Sequence, residues 1–173
     1  MGVDIGLEEG ARDAIPIDFI DSEEWSAGVA GAPERARAFG RACGFEAKPG
    51  QSLLAPGADG GLERVLFGVE AKAARSRDPF LAGRLATLLP PGLYRFDRAP
   101  ADPATAALAF LLSSYRFSRY LGPKNERARL CAPEGVDAAR IARIVRAVAM
   151  GRGLVNTPAN DMGPEALAGV ALE

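Results

Sequence analysis

Apolar residues along the chain fall into short runs of strand type, separated by stripes of helical period. Residues 14–20, AIPIDFI, alternate in part and are rich in Ile and Phe. They predict a first strand with Pro16 at its start or on a sheet edge. Residues 33–43 predict a helix opened by Pro33 and stopped by Gly44. Arg35, Arg37 and Arg41 would face water there, with Ala36, Phe39 and Cys43 inward. Residues 45–48, 52–55 and 64–69 predict three short strands. The last two flank Asp59-Gly60, a pair suited to a type I′ hairpin turn, whose central residues both need positive φ. Loop 57–61 has a second reading, because glycine-rich loops can offer backbone N–H groups to phosphate. Neither a GxxxxGK[ST] run nor a GxGxxG run opening a helix accompanies it.

Further on, Asp78-Pro79 predicts the cap of a helix over 78–88, with Leu81, Leu85 and Leu88 on one face. Pro90-Pro91-Gly92 ends it, and residues 93–96 predict a strand. The helix expected over 103–120 is apolar nearly all round in its first turns, the mark of burial on several sides. Residues 127–132 predict a strand ending at Pro133. Asp137 caps a helix over 138–152 in which Ile141, Ile144, Val145 and Val148 make an inward stripe opposite Arg140, Arg143 and Arg146. Strands interleaved with helices in this way predict an α/β domain, a mixed sheet with helices on both faces, followed by a linker helix. Apart from the first dozen residues, no stretch reads as disordered.

Composition narrows the chemistry. The 173 residues are 48% hydrophobic, enough for one domain with a sizeable core. With 21 Lys and Arg against 22 Asp and Glu, the net charge is -1, and nucleic acid is not a favoured partner. There is no histidine, which excludes Ser-His-Asp and Cys-His catalysis and a His-ligated zinc within the chain. Cys43 and Cys131 fit no CxxC pattern and read as buried free thiols. No secretory h-region and no apolar run of about 20 residues occurs, so the expectation is a cytoplasmic protein without a membrane span.

Two polar stretches stand out. Arg116 and Arg119 sit among Tyr115, Phe117 and Tyr120, and Lys124, Arg127 and Arg129 follow. Such a cluster can bind nucleic acid, or it can be a helix C-terminus whose cations complement the dipole. The other stretch is 151–167, GRGLVNTPANDMGPEAL. Gly153 suits the left-handed position after a helix, and Pro158 holds Thr157 extended. Asn156, Asn160 and Asp161 can make Asx turns, and after Met162 the pair Gly163-Pro164 can start a new helix. By its turn chemistry this is an ordered polar connector, with a direct ligand role as the alternative.

The run LVNTPANDMGPEALA also resembles the segment that joins the two domains of the leucyl aminopeptidase family. Tyr115-Arg116-Phe117 with Tyr120, the strand before Pro133 and the run Phe45-Glu46-Ala47-Lys48-Pro49-Gly50 agree with it in order. The resemblance implies a macro-domain-like N-terminal domain over 1–136, then an interdomain helix and the start of a catalytic domain over 137–173. It implies a parent that removes N-terminal amino acids from peptides with two divalent metals, Zn or Mn, as a homo-hexamer. The family's metal-binding segments lie beyond Glu173, and residues 156–159 lack the ligand Asp, so no catalytic or metal residue carries over. Gly153, Asn156, Thr157, Pro158, Asn160, Asp161, Met162 and Pro164 are then structural residues of the linker. Leu154, Val155, Met162 and Leu167 would form an apolar patch towards the catalytic domain. The readings that compete with this are a nucleotide or ADP-ribose-type binding module using loop 57–61, and a DNA-binding accessory domain using Arg116, Arg119, Lys124, Arg127 and Arg129.

Overall fold

A central strand, β1 (Ile15–Asp21), organises the domain in the computed structural model, which describes residues 6–10, 13–28, 31–120 and 126–172. It leads directly into a short helix, α1 (Ser22–Ser26), capped by the Asp21 carboxylate, and α2 (Glu34–Ala42) follows. Next come β2 (Ser52–Pro56) and β3 (Leu62–Val69), then a 3₁₀ turn (Leu81–Arg84) running into α3 (Leu85–Leu88). The chain continues through β4 (Gly92–Arg98), α4 (Pro103–Ser113), β5 (Ala128–Leu130), α5 (Ala138–Asn156) and α6 (Pro164–Leu172). The strands form one mixed sheet in the order β2-β3-β1-β4-β5, antiparallel only between β2 and β3.

Alternation along the strands gives each face its own core, as a sheet period of two requires. Ile17, Phe19, Val65, Phe67 and Tyr94 pack with Phe110 of α4 and Val145 of α5. On the other face Ile20, Leu53 and Leu66 pack with Ala36 of α2 and with Phe45. Helices therefore cover both faces, as the sequence pattern predicts. Among the described residues no helix is long and apolar enough to cross a membrane.

Several elements differ from their sequence readings for identifiable reasons. Of the two readings for Pro16, the strand start holds and the sheet edge does not: it is the second residue of the central strand, and the pairing with β3 begins only at Ile17, so the N–H that proline lacks is not needed on that side. Residues 45–48 are a loop, because the Gln51 Oε1 accepts from the amides of Glu46 (3.0 Å) and Lys48 (3.2 Å) and Ala47 takes φ 52°. On α2 the buried positions are Ala36 and Gly40, while Phe39 and Cys43 point outward. The small residues let the Trp25 ring close on the helix: a Cβ at Gly40 would lie 2.7 Å from it. Only Cys131 is a buried thiol, and burial pushes its pKa up.

Helix ends differ most. The helix expected over 78–88 is only the 3₁₀ turn and α3, so Leu81 and Leu85 are buried but Leu88 is exposed. α4 stops at Ser113, where the Ser114 hydroxyl donates back to the Phe110 carbonyl at 2.9 Å. α5 runs through Gly153 to Asn156 and stops where Pro158 holds Thr157 at φ -77°, ψ 126°. Its inward residues are Ile141, Val145 and Ala149; Ile144 lies at the exposed margin. Near the N-terminus, Glu8 pairs with Cys131 as an isolated bridge, extending the β5 edge from a stretch that read as disordered.

Candidate functional site

Thr157 is the fixed point of the polar joint after α5. It is buried, its N–H reaches the carbonyls of Gly153 (3.1 Å) and Leu154 (3.3 Å), and its hydroxyl donates to Gly153 at 2.7 Å. The same hydroxyl accepts from Arg119 at 3.4 Å. Beyond Pro158, backbone turns close from Asp161 to Pro158 (2.9 Å) and from Met162 to Ala159 (3.3 Å). The Asp161 carboxylate accepts from the Tyr120 hydroxyl, and that bond raises the tyrosine's pKa. Gly163 and Pro164 then open α6, with Leu167 N–H on the Gly163 carbonyl at 3.0 Å. The bonds that hold the joint belong to Thr157, Asp161 and the backbone, whereas Asn156 and Asn160 are exposed. Gly153 is a helical residue, not a left-handed stop, because it lies one turn inside a helix that ends at Pro158.

The aromatic-basic segment is brought against this joint and is largely engaged by it. Residues 115–120 lie beyond α4 and are not a helix terminus. Two cations satisfy carbonyls at the end of α4: Arg127, from the same cluster, donates to Ser114 at 3.1 Å, and Arg152 of α5 donates to Leu112. The Arg152 guanidinium also lies 5.7 Å over the Tyr115 ring. Arg129 pairs with Glu8 at 3.2 Å, Arg116 is exposed, and Lys124 lies outside the described residues. Sequence reasoning did not single out Arg152. Its signal was positional: it follows Val145 by seven residues and Ala149 by three, a lone charge in line with the buried stripe of α5.

Of the apolar patch expected at the joint, none of the four residues is buried. Val155 is 85% and Leu167 50% exposed, and Leu154 and Met162 are half-buried. Met150, 54% exposed, extends this surface along α5.

Loop 57–61 is a hairpin in which all three glycine amides are already used. Gly57 N–H bonds Gly61 (2.7 Å), Gly60 N–H bonds Gly57 (3.2 Å), and Gly61 N–H bonds the Asp59 carboxylate (3.0 Å). Only Gly60 takes positive φ, 84°, so the turn is not type I′. The hairpin also lies at the amino end of β3, away from the carboxyl edge of the parallel strands.

The two metals implied by the resemblance have no matching donor set here. Among the described residues no group of three or more His, Cys, Asp or Glu could hold a metal ion. The carboxylates of Asp18 and Asp97 do converge, but on the Arg64 guanidinium at 2.7 and 2.9 Å. A guanidinium already supplies the positive charge that pair needs.

Comparison with known proteins agrees with this organisation. The family model of the M17 aminopeptidase N-terminal domain matches residues 15–133. No curated protein matches the chain. Among solved structures, the cytosol aminopeptidase of Coxiella burnetii superimposes with a TM-score of 0.81 at 30% identity, over 95% of this chain and 36% of its own. The bottromycin maturation enzyme BotP, in complex with Mn, gives 0.58 at 26% identity, over 90% of this chain and 34% of its own. A tomato leucine aminopeptidase mutant shares the fold at 16% identity, with a TM-score of 0.57 over 95% of this chain and 40% of its own. The chain thus spans little more than a third of the length of these relatives.

Proposed function

The chain belongs to the M17 aminopeptidases as their N-terminal domain, and from that membership we propose that it acts without a catalytic centre of its own. The observation that carries the proposal is the pairing of near-complete structural coverage of this chain with coverage of only 36% of the Coxiella relative. The described residues gather no metal-binding cluster that could run the reaction alone. On this reading residues 1–136 are the domain, macro-like in fold, and 137–173 are the interdomain helix and the first residues of a catalytic domain. The whole protein would be a cytoplasmic metallopeptidase that removes N-terminal amino acids from peptides with two divalent metals, Zn or Mn, as a homo-hexamer. Two metals in that partner domain would lower the pKa of a shared water and polarise the scissile carbonyl.

In this scheme the joint is a strut. Thr157, Pro158, Asp161 and Pro164 set the path from α5 to α6, and Tyr120 and Arg119 brace it. The exposed Met150, Val155 and Leu167 supply apolar surface for the adjoining domain, whose interface would bury roughly 600–1,500 Å². DNA binding through Arg116, Arg119, Arg127 and Arg129 is the weaker reading, because Arg119, Arg127 and Arg129 already serve the fold. Calorimetric titration of the purified 173-residue chain with Mn²⁺ and with Zn²⁺ tests the assignment. Weak, non-stoichiometric heats are expected. Saturable binding of two ions per chain at about micromolar Kd, roughly 8 kcal/mol, would overturn it.

A further inference from the structure

Outside the joint, a cleft of about 510 Å³ lies beyond the carboxyl end of β1. That volume lies within the roughly 300–1,000 Å³ usual for small-molecule sites. Its place in the fold matters too. It is walled by α1, α2 and the loop before β2, on the β3 side of the carboxyl end of β1. Open α/β sheets commonly receive ligands outside the carboxyl ends of their strands.

The walls select the ligand's chemistry. Arg37, Arg41 and Lys48 line the cleft with one carboxylate, Glu46, and Glu34 just outside it pairs with both arginines, so three cations face two carboxylates in a chain of net charge -1. Arg37 is held in place by a bond from Nη1 to the Gly28 carbonyl at 2.9 Å, and its Nε is buried without an acceptor. Arg41 shares Glu34 with Arg37, at 2.7 and 2.6 Å, and Lys48 pairs with Glu46. The Arg41–Glu34 and Lys48–Glu46 pairs are largely exposed and cost little to rearrange around a stronger anion, whereas Arg37 is more buried and already fixed. Trp25 supplies an aromatic wall, fixed edge-on against Phe45 at 5.0 Å. We propose that this cleft binds a small phosphate monoester, its dianionic phosphate held by Arg37, Arg41 and Lys48 and its organic part resting by Trp25. The site is independent of the aminopeptidase reading and stands or falls separately from it.

Trp25 is the chain's only tryptophan, so its fluorescence reports on the cleft directly. Titration of the 173-residue chain with AMP is expected to give a saturable change that inorganic phosphate reverses and adenosine does not produce. Arg41→Ala and Lys48→Ala, both at exposed side chains, should each weaken AMP by about tenfold while leaving the melting temperature unchanged. No saturation by about 10 mM AMP, beyond the weakest Kd of interest, would overturn the proposal. Equal binding of adenosine, or AMP affinity indifferent to both substitutions, would do the same.

Discussion

Arg64 does for the sheet what no apolar residue could, because it lies between two carboxylates on neighbouring strands. Asp18 is only 3% exposed, and Arg64 bonds it at 2.7 Å and Asp97 at 2.9 Å. Removing the guanidinium would leave the buried Asp18 charge unpaired. Arg64→Ala should therefore cost about 3–5 kcal/mol in urea unfolding. Burial works to raise the pKa of Asp97, but the bonds from Arg64 and Arg95 outweigh it and hold the group below its ordinary 3.8. Its stabilising effect is complete above that ordinary value and is lost as pH falls through the lower folded value. Melting temperature should thus fall in acid below about pH 4, and Asp97→Asn should flatten that acid limb. Gly68 is a second critical point: a Cβ there would lie 2.0 Å from the Lys48 carbonyl oxygen, which is backbone and cannot give way. Gly68→Ala should destabilise by about 1–3 kcal/mol or more, measured the same way. None of these roles was legible in the sequence. Asp18 and Arg64 are 46 residues apart, and only the register of β1 on β3 brings them together.

At the scale of elements, interiors were more legible than ends. Periodicity located β1 and α5, because side-chain period follows from backbone geometry alone, while end signals located α2 and an all-round apolar run located α4. Where some of them stop depended also on partners distant in the chain, although Pro158 ends α5 locally. Arg127 and Arg152 complete the end of α4, and the Gln51 side chain takes the amides that would have made 45–48 a strand. Local capping by side chain was easier to read, as with Asp137 on α5, whose carboxylate accepts from Arg140 N–H at 2.8 Å. The same device at Asp102 caps α4 and depresses the aspartate's pKa through its bond from the Thr105 hydroxyl. Asp102→Ala should cost about 1 kcal/mol by thermal or urea unfolding. The joint divides in the same manner. Pro158 marked its boundary in sequence, whereas the bracing by Arg119 and Tyr120 needed the fold to bring residues 38 and 41 positions apart into contact.

For the molecule as a whole, the resemblance pointed to the family that the match over 15–133 establishes; its residues at 45–50 and 115–120 lie inside that match, and 154–168 lies outside it. The surface follows from the same organisation: apolar residues that a self-sufficient core would enclose, Val155 and Leu167 above all, lie exposed beside the joint. Charged replacements there, Val155→Glu and Leu167→Glu, should change the stability of the 173-residue chain by no more than about 0.5 kcal/mol in urea unfolding. On the proposed reading this domain supports chemistry performed by residues of the adjoining domain, and hydrolysis of a leucine anilide by the purified chain, with Mn²⁺ or Zn²⁺ supplied and a full-length relative as positive control, tests it. No turnover above the metal-containing buffer is expected. Metal-dependent turnover that scales with the concentration of the chain would contradict the claim.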